Sequence, residues 1–213
     1  MSAPEPINKT VPLDENFFCD GAYYVLTSHS LGGSGIEPDA LADTLGSATA
    51  ASMNALLRKG VCLPLAFNGD CAMDGGTLFV VGELDAKHES AWIGRLTAKL
   101  SVPCGKLVLL CGGGDAEGLA RAVSGKPADE DYCIYQTIEV PPGDYRVDLL
   151  AYLESDTVLS MDEDVDEEEI REKYKHLPRV DESYVVHLTP LAGELPLPAL
   201  VDEVNWPGQF EFR

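Results

Sequence analysis

The sequence predicts a single α+β domain that is mainly β, with one substantial helix near the N-terminus of the 213 residues. Short segments after residue 60 alternate apolar and polar side chains with a period of two, which is typical of strands with one buried face. These segments follow one another across short turns, without the regular strand–helix alternation of nucleotide-binding sheets. We therefore expect an antiparallel β-sandwich, or a sheet built from hairpins, that occupies residues 1–213.

The predicted helix covers residues 37–59. Asp39 falls in its first turn, and two basic residues precede Gly60 at its end. Acid at the start, and base followed by glycine at the finish, are the usual signals of helix termini. Gly46 and several hydroxyl residues weaken the middle, so that two shorter helices are the alternative.

Two hairpins are predicted in the second half of the sheet. The first covers residues 91–111 and turns at residues 103–106. The second joins residues 132–140 to residues 145–153 through a Pro-Pro-Gly-Asp turn, in which Gly143 supplies a positive φ. In its second arm, period two separates two sets of side chains. The set expected to face the core is Tyr145, Val147, Leu149 and Ala151, and the set expected to face outward or a second layer is Arg146, Asp148 and Tyr152.

Three segments are expected to lie outside the regular sheet. Residues 1–12 contain three prolines and predict a loose N-terminal arm. Residues 154–183 form an acidic insert with a short helix of one or two turns. Residues 189–213 are rich in proline, and predict an irregular C-terminal segment that packs on the surface.

Charge is the strongest functional signal in the sequence. The chain has 36 Asp and Glu against 15 Lys and Arg, a formal net charge of −21. Such a surface repels phosphate backbones and anionic lipids, and it attracts cations and basic proteins. Basic patches with interleaved aromatic residues are absent, so we expect no nucleic-acid binding.

The acidity is concentrated at residues 162–169, where seven of eight residues are acidic. Mutual repulsion, with only Val165 as an apolar anchor, predicts an exposed loop over residues 160–169. These carboxylates are the candidate residues for binding a basic protein: Asp162, Glu163, Asp164, Asp166, Glu167, Glu168 and Glu169.

The cellular location of the protein and the oxidation state of its cysteines are predicted from signals that the sequence lacks. The N-terminus has no basic start followed by an apolar core, and no window approaches the roughly 18 apolar residues of a membrane span. We therefore predict a cytoplasmic protein with no membrane partner. The six cysteines have no zinc-binding spacing, and free thiols are expected in that compartment.

Two small-residue motifs could carry hydrolytic chemistry. Ser28-His29-Ser30-Leu31-Gly32-Gly33 resembles the nucleophile elbow of lipases, but only one short strand precedes Ser30. Cys111, followed by three glycines and Asp115, lacks the lysine of a phosphate-binding loop. We interpret the first motif as a turn and the second as a strand-to-helix turn with Asp115 as the N-cap.

The sequence gives even less indication of a metal site or of a catalytic histidine. Asp162, Asp164 and Asp166 match the first, third and fifth places of a calcium loop, but Glu167 and Lys173 stand where glycine and glutamate are needed. No metal site or cofactor is therefore predicted. The four histidines have no ligand spacing and are expected to have structural or surface roles: His29, His88, His176 and His187.

The segment Ile138-Glu139-Val140-Pro141-Pro142-Gly143-Asp144-Tyr145-Arg146-Val147 resembles a strand–turn–strand of small bacterial β-sandwich proteins. These are the competence-J-type nuclease inhibitors and some toxin-immunity proteins. The resemblance covers ten to fifteen residues. It implies a bacterial, cytoplasmic, non-catalytic protein that neutralises a partner.

The favoured hypothesis is an acidic interaction module of the inhibitor or immunity type, which binds a basic partner protein such as a nuclease. The charge and the lack of a catalytic constellation support it. The alternative from another class is a small hydrolase-like enzyme that uses Ser30 or Cys111 with a histidine. A third interpretation is a globular protein without a catalytic role, whose acidity only keeps it soluble.

Overall fold

A computed structural model describes six ranges of the chain: residues 8–46, 49–112, 115–128, 133–162, 164–197 and 210–213. In these ranges the strands form two sheets. The first has six strands in the spatial order β1 (Lys9–Pro12), β4 (Thr77–Val81), β9 (Tyr184–Pro190), β8 (Gly143–Ala151), β5 (Gly94–Val102) and β10 (Glu211–Phe212). The second has four, in the order β3 (Cys62–Ala66), β2 (Tyr23–Ser28), β6 (Lys106–Cys111) and β7 (Tyr135–Glu139).

The six-stranded sheet is mixed, because β4 and β9 run parallel while its other neighbours are antiparallel. An entirely antiparallel sheet is therefore not what the chain forms. A parallel pair needs a long connection, and here more than a hundred residues separate the two strands. Period-two patterns give the buried face of a strand but not the direction of its neighbour.

The described ranges contain six α-helices, so the prediction of one substantial helix is corrected. They are α1 (Pro38–Gly46), α2 (Ala50–Lys59), α3 (Ala86–Ala91), α4 (Ala116–Val123), α5 (Asp156–Leu159) and α6 (Glu167–Tyr174). The predicted N-terminal helix is two helices, the alternative that Gly46 indicates. Thr49 begins α2 by accepting a hydrogen bond from the Ser52 amide at 3.2 Å, and Gly60 ends it with φ +67°.

Both predicted hairpins are wrong in their pairing. β5 pairs with β8 and β6 pairs with β7, so each turn carries the chain from one sheet to the other. The two crossings lie side by side, because Val102 pairs with Gly143 and the Val140 amide donates to the Gly105 carbonyl at 2.9 Å. Gly105 has the positive φ of +71° that the sequence assigned to Gly143. Gly143 is the first residue of β8.

The two sheets share one hydrophobic core. Leu26 of β2, Leu109 of β6, Leu100 of β5 and Val147 of β8 belong to a single cluster, and each is at most 1% exposed. Helices α1, α2 and α4 add the buried residues Leu41, Met53 and Leu119 to the same cluster. The apolar positions of both sheets therefore stabilise one domain core.

The core set of β8 is confirmed, and of the two positions predicted for the other set, outward or against a second layer, the second layer applies to Tyr152. Tyr145, Val147, Leu149 and Ala151 are all buried. On the opposite face Arg146 is half-buried, but Tyr152, just beyond β8, is also buried, in a second cluster with Trp92. Both faces are therefore covered at the C-terminal end of this strand. Buried Asp148 is satisfied by hydrogen bonds from Thr97 and Arg146.

Both terminal segments that were predicted to be irregular contain a short strand. Residues 9–12, expected in a loose arm, form β1, and residues 211–212 form β10. Residues 1–7 and 198–209 lie outside the described ranges. Within those ranges, none of the helices has the length and apolar composition that crossing a membrane requires.

Substitution of the crossing glycines tests this topology. Gly105→Ala forces a β-carbon to 3.0 Å from the Val140 carbonyl oxygen at a left-handed φ, and should lower the free energy of unfolding by about 1–2 kcal/mol. At Gly143 a β-carbon meets nothing within 4 Å. Gly143→Ala should therefore raise the free energy of unfolding by about 0.4–1 kcal/mol, through the unfolded chain. Urea denaturation measures both, and equal effects of the two substitutions would contradict the crossing geometry.

Candidate partner-binding surface

The acidic insert contains two capped helices. Ser155 begins α5 by accepting a hydrogen bond from the Val158 amide at 3.3 Å, and Asp166 begins α6 by accepting one from the Glu169 amide at 2.9 Å. Three glutamates then occupy the first turn of α6, where the positive end of the helix dipole favours negative charge. The predicted loop over residues 160–169 is thus exposed but not wholly a loop, because its last three residues start this helix.

Apolar side chains fix the insert to the domain. Val158 of α5 and Ile170 and Tyr174 of α6 are buried in the main core, and Val165 between the helices packs against it. The Tyr174 hydroxyl donates to the Arg213 carbonyl oxygen at 2.9 Å. The exposed carboxylates therefore stand on a backbone that the core holds in one conformation.

Few of these carboxylates have cationic partners. Arg171 pairs with Glu154 at 3.2 Å and with Glu167 at 3.0 Å, and so neutralises one side of α6. The other predicted residues are all exposed, and no described cation pairs with them: Asp162, Asp164, Asp166, Glu168 and Glu169. Glu163 lies outside the described ranges. The unpaired charges are available to an external partner.

A second segment, the loop of residues 68–74 that contains Asp70 and Asp74, is attached to this insert. The Asp156 carboxylate accepts hydrogen bonds from the amides of Asn68 at 3.1 Å and Gly69 at 3.2 Å. The Asn68 side chain also donates to the Ser160 hydroxyl at 2.8 Å. Exposed Asp70 lies in this loop. Sequence reasoning missed the loop, because nothing local marks it as a neighbour of residues 154–175.

The positions of Lys and Arg along the sequence could have identified this loop as part of the site. No Lys or Arg lies between Lys59 and Lys87, and none between Arg146 and Arg171, a stretch with ten carboxylates. The Asp156 hydrogen bonds join these two cation-free stretches. We call residues 68–74 together with residues 154–172 the acidic surface.

His88 forms a separate polar cluster. Its Nδ1 lies 2.5 Å from an Asp85 oxygen and its Nε2 lies 3.0 Å from a Glu182 oxygen, so both ring nitrogens can donate to a carboxylate when the imidazole is in its charged form. Burial alone would lower the pKa of His88, but hydrogen bonds to the two carboxylates outweigh it and raise that pKa. The cluster ties α3 to the segment before β9, which agrees with the structural role expected of the histidines.

The Ser28–Ser30 motif is not assembled as a nucleophile. Ser30 has an unstrained backbone at φ −95°, and its hydroxyl contacts the Ser28 hydroxyl at 3.2 Å. His29 points elsewhere, with its Nε2 at 3.0 Å from the Thr137 hydroxyl. Burial opposes ionisation of nearby Cys104, but hydrogen bonds with Ser30 and with nearby backbone groups together outweigh it and lower the pKa of that thiol. In the described ranges no histidine hydrogen-bonds to the Ser30 hydroxyl or to the Cys104 thiol.

Cys111 is paired with Cys19 in a disulfide, so the expectation of six free thiols is wrong. The pairing joins residues 92 apart in the sequence, which local spacing cannot indicate. A disulfide also removes Cys111 as the nucleophile of the hydrolase alternative. Disulfides are typical of oxidising compartments, and the cytoplasmic location stays a prediction.

The structure also shows the role of Asp115 and the arrangement of potential metal ligands. Asp115 is the N-cap of α4, as expected, and accepts hydrogen bonds from the Glu117 and Gly118 amides. The two glycines before it lie outside the described ranges. Across those ranges, no group of three His, Cys, Asp or Glu side chains is arranged to hold a metal ion.

Comparison with known proteins gives weak structural matches. No protein-family model and no curated protein matches the chain. A solved structure named "Crocagin biosynthetic gene J" is 13% identical with a TM-score of 0.39, and the match covers 86% of this chain and 95% of that one. ComJ from Bacillus subtilis, described as an inhibitor of the DNA degrading activity of NucA, is 8% identical with a TM-score of 0.38, over 87% and 96% of the chains. The weak resemblance to competence-J-type proteins is confirmed, and at these TM-scores it says nothing of what this chain binds.

The His88 cluster predicts a pH dependence of stability. Because the folded pKa of His88 is raised, its stabilising contribution is complete below the ordinary value of about 6.5. The contribution is lost as pH rises through the folded value. Replacing His88 with Gln should therefore cost about 1 kcal/mol near pH 6, allowing for solvent screening, and much less near pH 9.

Urea denaturation of both proteins across this pH range measures the difference. His176→Gln is the matched control, because the His176 ring hydrogen-bonds to the Lys173 carbonyl oxygen and to no described carboxylate. A His88→Gln effect that grows with rising pH would contradict the protonated cluster.

Proposed function

We propose that this chain is an inhibitor- or immunity-type interaction protein whose acidic surface binds a basic partner protein. One observation carries the proposal: two cation-free stretches, distant in sequence, are joined by the Asp156 hydrogen bonds into one surface with unpaired carboxylates. Residues 154–175 alone hold ten carboxylates against three cations. Acidity that served only solubility would not require the carboxylates to be held in place.

Fixed carboxylates can act on a partner in two ways. They steer a basic protein electrostatically, which accelerates association most at low ionic strength. They also present negative charges in a set arrangement, as a phosphate backbone does, so a nuclease that binds DNA through basic residues is a suitable partner. Because α5 and α6 are anchored in the core, little conformational entropy is lost when the partner binds.

A small recess beside α6 offers the apolar contact that charge alone does not supply. It encloses about 170 Å³, and Tyr174 and Leu177 contribute apolar surface to it. Glu154 and Asp181 line it as well, together with Lys175 and Arg179. The alkyl stem of a partner lysine or arginine fits such a recess, with its charge left beside the carboxylates. Affinity then depends on the recess, and association rate depends on the acidic surface.

Charge neutralisation tests this assignment without removing a helix cap. A quadruple variant, D162N/D164N/E168Q/E169Q, leaves Asp166 at the start of α6 and Glu167 with Arg171. The immobilised wild-type protein should capture a basic protein from lysate of its own cells at low salt and release it at high salt. With that captured protein purified, stopped-flow mixing should show association slowed about tenfold by the neutralisation, with little change in dissociation.

A matched control separates local from overall charge. The variant E15Q/E37Q/D39N/E117Q removes four exposed carboxylates elsewhere, two of them in the first turns of α1 and α4. It should retain the wild-type association rate within about twofold. Equal slowing by both variants would show that only net charge matters. Failure to capture any basic protein would contradict the proposed function.

A further inference from the structure

A second cavity has the opposite electrical character to the acidic surface. It is an open groove of about 570 Å³ where the edge strands β1 and β7 of the two sheets approach each other. Lys9 of β1 bridges the two edges, since its Nζ donates to the Glu139 carbonyl oxygen of β7 at 2.9 Å. Lys106 and Lys126 line the same cavity. Three of the chain's 15 basic side chains therefore meet in one place.

Among the described residues, these lysines differ from several other cations in having no carboxylate partner. Arg95, Lys99 and Arg146 each pair with a carboxylate of this chain. Lys106 and Lys126 pair with no described carboxylate, although the chain has 36. Glu139 lines the cavity too, and it is the one carboxylate among its described lining residues. Exposed lysines that lie near one another repel, and a bound anion would offset that repulsion.

Neutral donors lie between the lysines. His29 and Thr137 hydrogen-bond across the cavity wall at 3.0 Å. Burial lowers the pKa of His29, and the charge of Lys106 lowers it further, which is the effect of a locally positive environment. The imidazole and the hydroxyl can each turn a hydrogen bond toward an anion.

The composition of the wall selects the kind of anion. Its described lining includes lysine but no arginine, and lysines acting as point charges attract a doubly charged phosphate monoester more strongly than a singly charged carboxylate. Val11, Pro127 and Ile138 supply apolar surface, and the volume exceeds that of a phosphate ion alone. Charges more than about 8 Å away are largely screened at physiological salt, so the overall negative charge acts only weakly on an anion in the cavity.

We propose that this cavity binds a small phosphate monoester, with the phosphate between Lys106, Lys126 and His29 and its organic group against the apolar wall. The site is independent of the acidic surface and of its protein partner. Loss of one would leave the other intact.

Isothermal titration calorimetry with phenyl phosphate, inorganic phosphate and benzoate tests this at an ionic strength of about 0.15 M, where the overall negative charge is screened. Phenyl phosphate should bind most tightly, inorganic phosphate more weakly because it lacks the ring, and benzoate weakest. K106Q/K126Q should weaken phenyl phosphate binding at least about tenfold. K59Q/K87Q removes two exposed lysines outside the cavity and should leave binding unchanged.

Amide chemical shifts of the wild-type protein locate the phenyl phosphate site without the use of a variant. Phenyl phosphate should shift resonances of His29, Lys106 and Thr137. Absence of binding at millimolar probe, shifts confined to other residues, or equal weakening by both lysine variants would overturn the site. Benzoate or inorganic phosphate binding as tightly as phenyl phosphate would overturn the assignment to a phosphate monoester.

Discussion

The crossing of the chain between its two sheets is the constraint on which the rest of the structure depends. β5 and β8 pair in one sheet while β6 and β7 pair in the other, so both turns must pass side by side at one end of the domain. Gly105 makes this possible, because its β-carbon would lie 3.0 Å from the Val140 carbonyl oxygen. The strand registers then place the ends of β3 and β8 away from these turns. The loop after β3 and the insert after β8 therefore meet.

The contact between this loop and this insert forms the acidic surface. Carboxylates concentrated in one region repel one another, and that repulsion destabilises the folded state. Buried Ile170 and Tyr174, the cap at Asp166 and the amides that bind Asp156 offset it. A chain that only needed solubility would lose nothing by spreading these charges. Their separation in composition from the lysine-lined cavity supports the proposal of two distinct binding sites.

Sequence patterns predicted local features well and long-range neighbours poorly. Period two gave the buried set of β8, terminal signals gave the start of α1 and the end of α2, and Asp115 was recognised as a cap. Pairing failed for both hairpins, because a short turn with proline and glycine suits a hairpin and a crossing equally. The Cys19–Cys111 disulfide and the contact of Asp156 with Asn68 join residues 92 and 88 positions apart. No local pattern encodes such distances. For the candidate site, the exposed carboxylates were predictable and the loop beside them was not.

The central claim is that residues 68–74 and residues 154–172 act as one surface. Titrating the labelled protein with an oligolysine peptide at low salt, while following amide chemical shifts, tests this most directly. The account predicts that shifts in both segments follow a single binding curve, and that they disappear together when salt shortens the screening length to about 3 Å. Shifts limited to α6, or spread evenly over all exposed acidic residues, would contradict it.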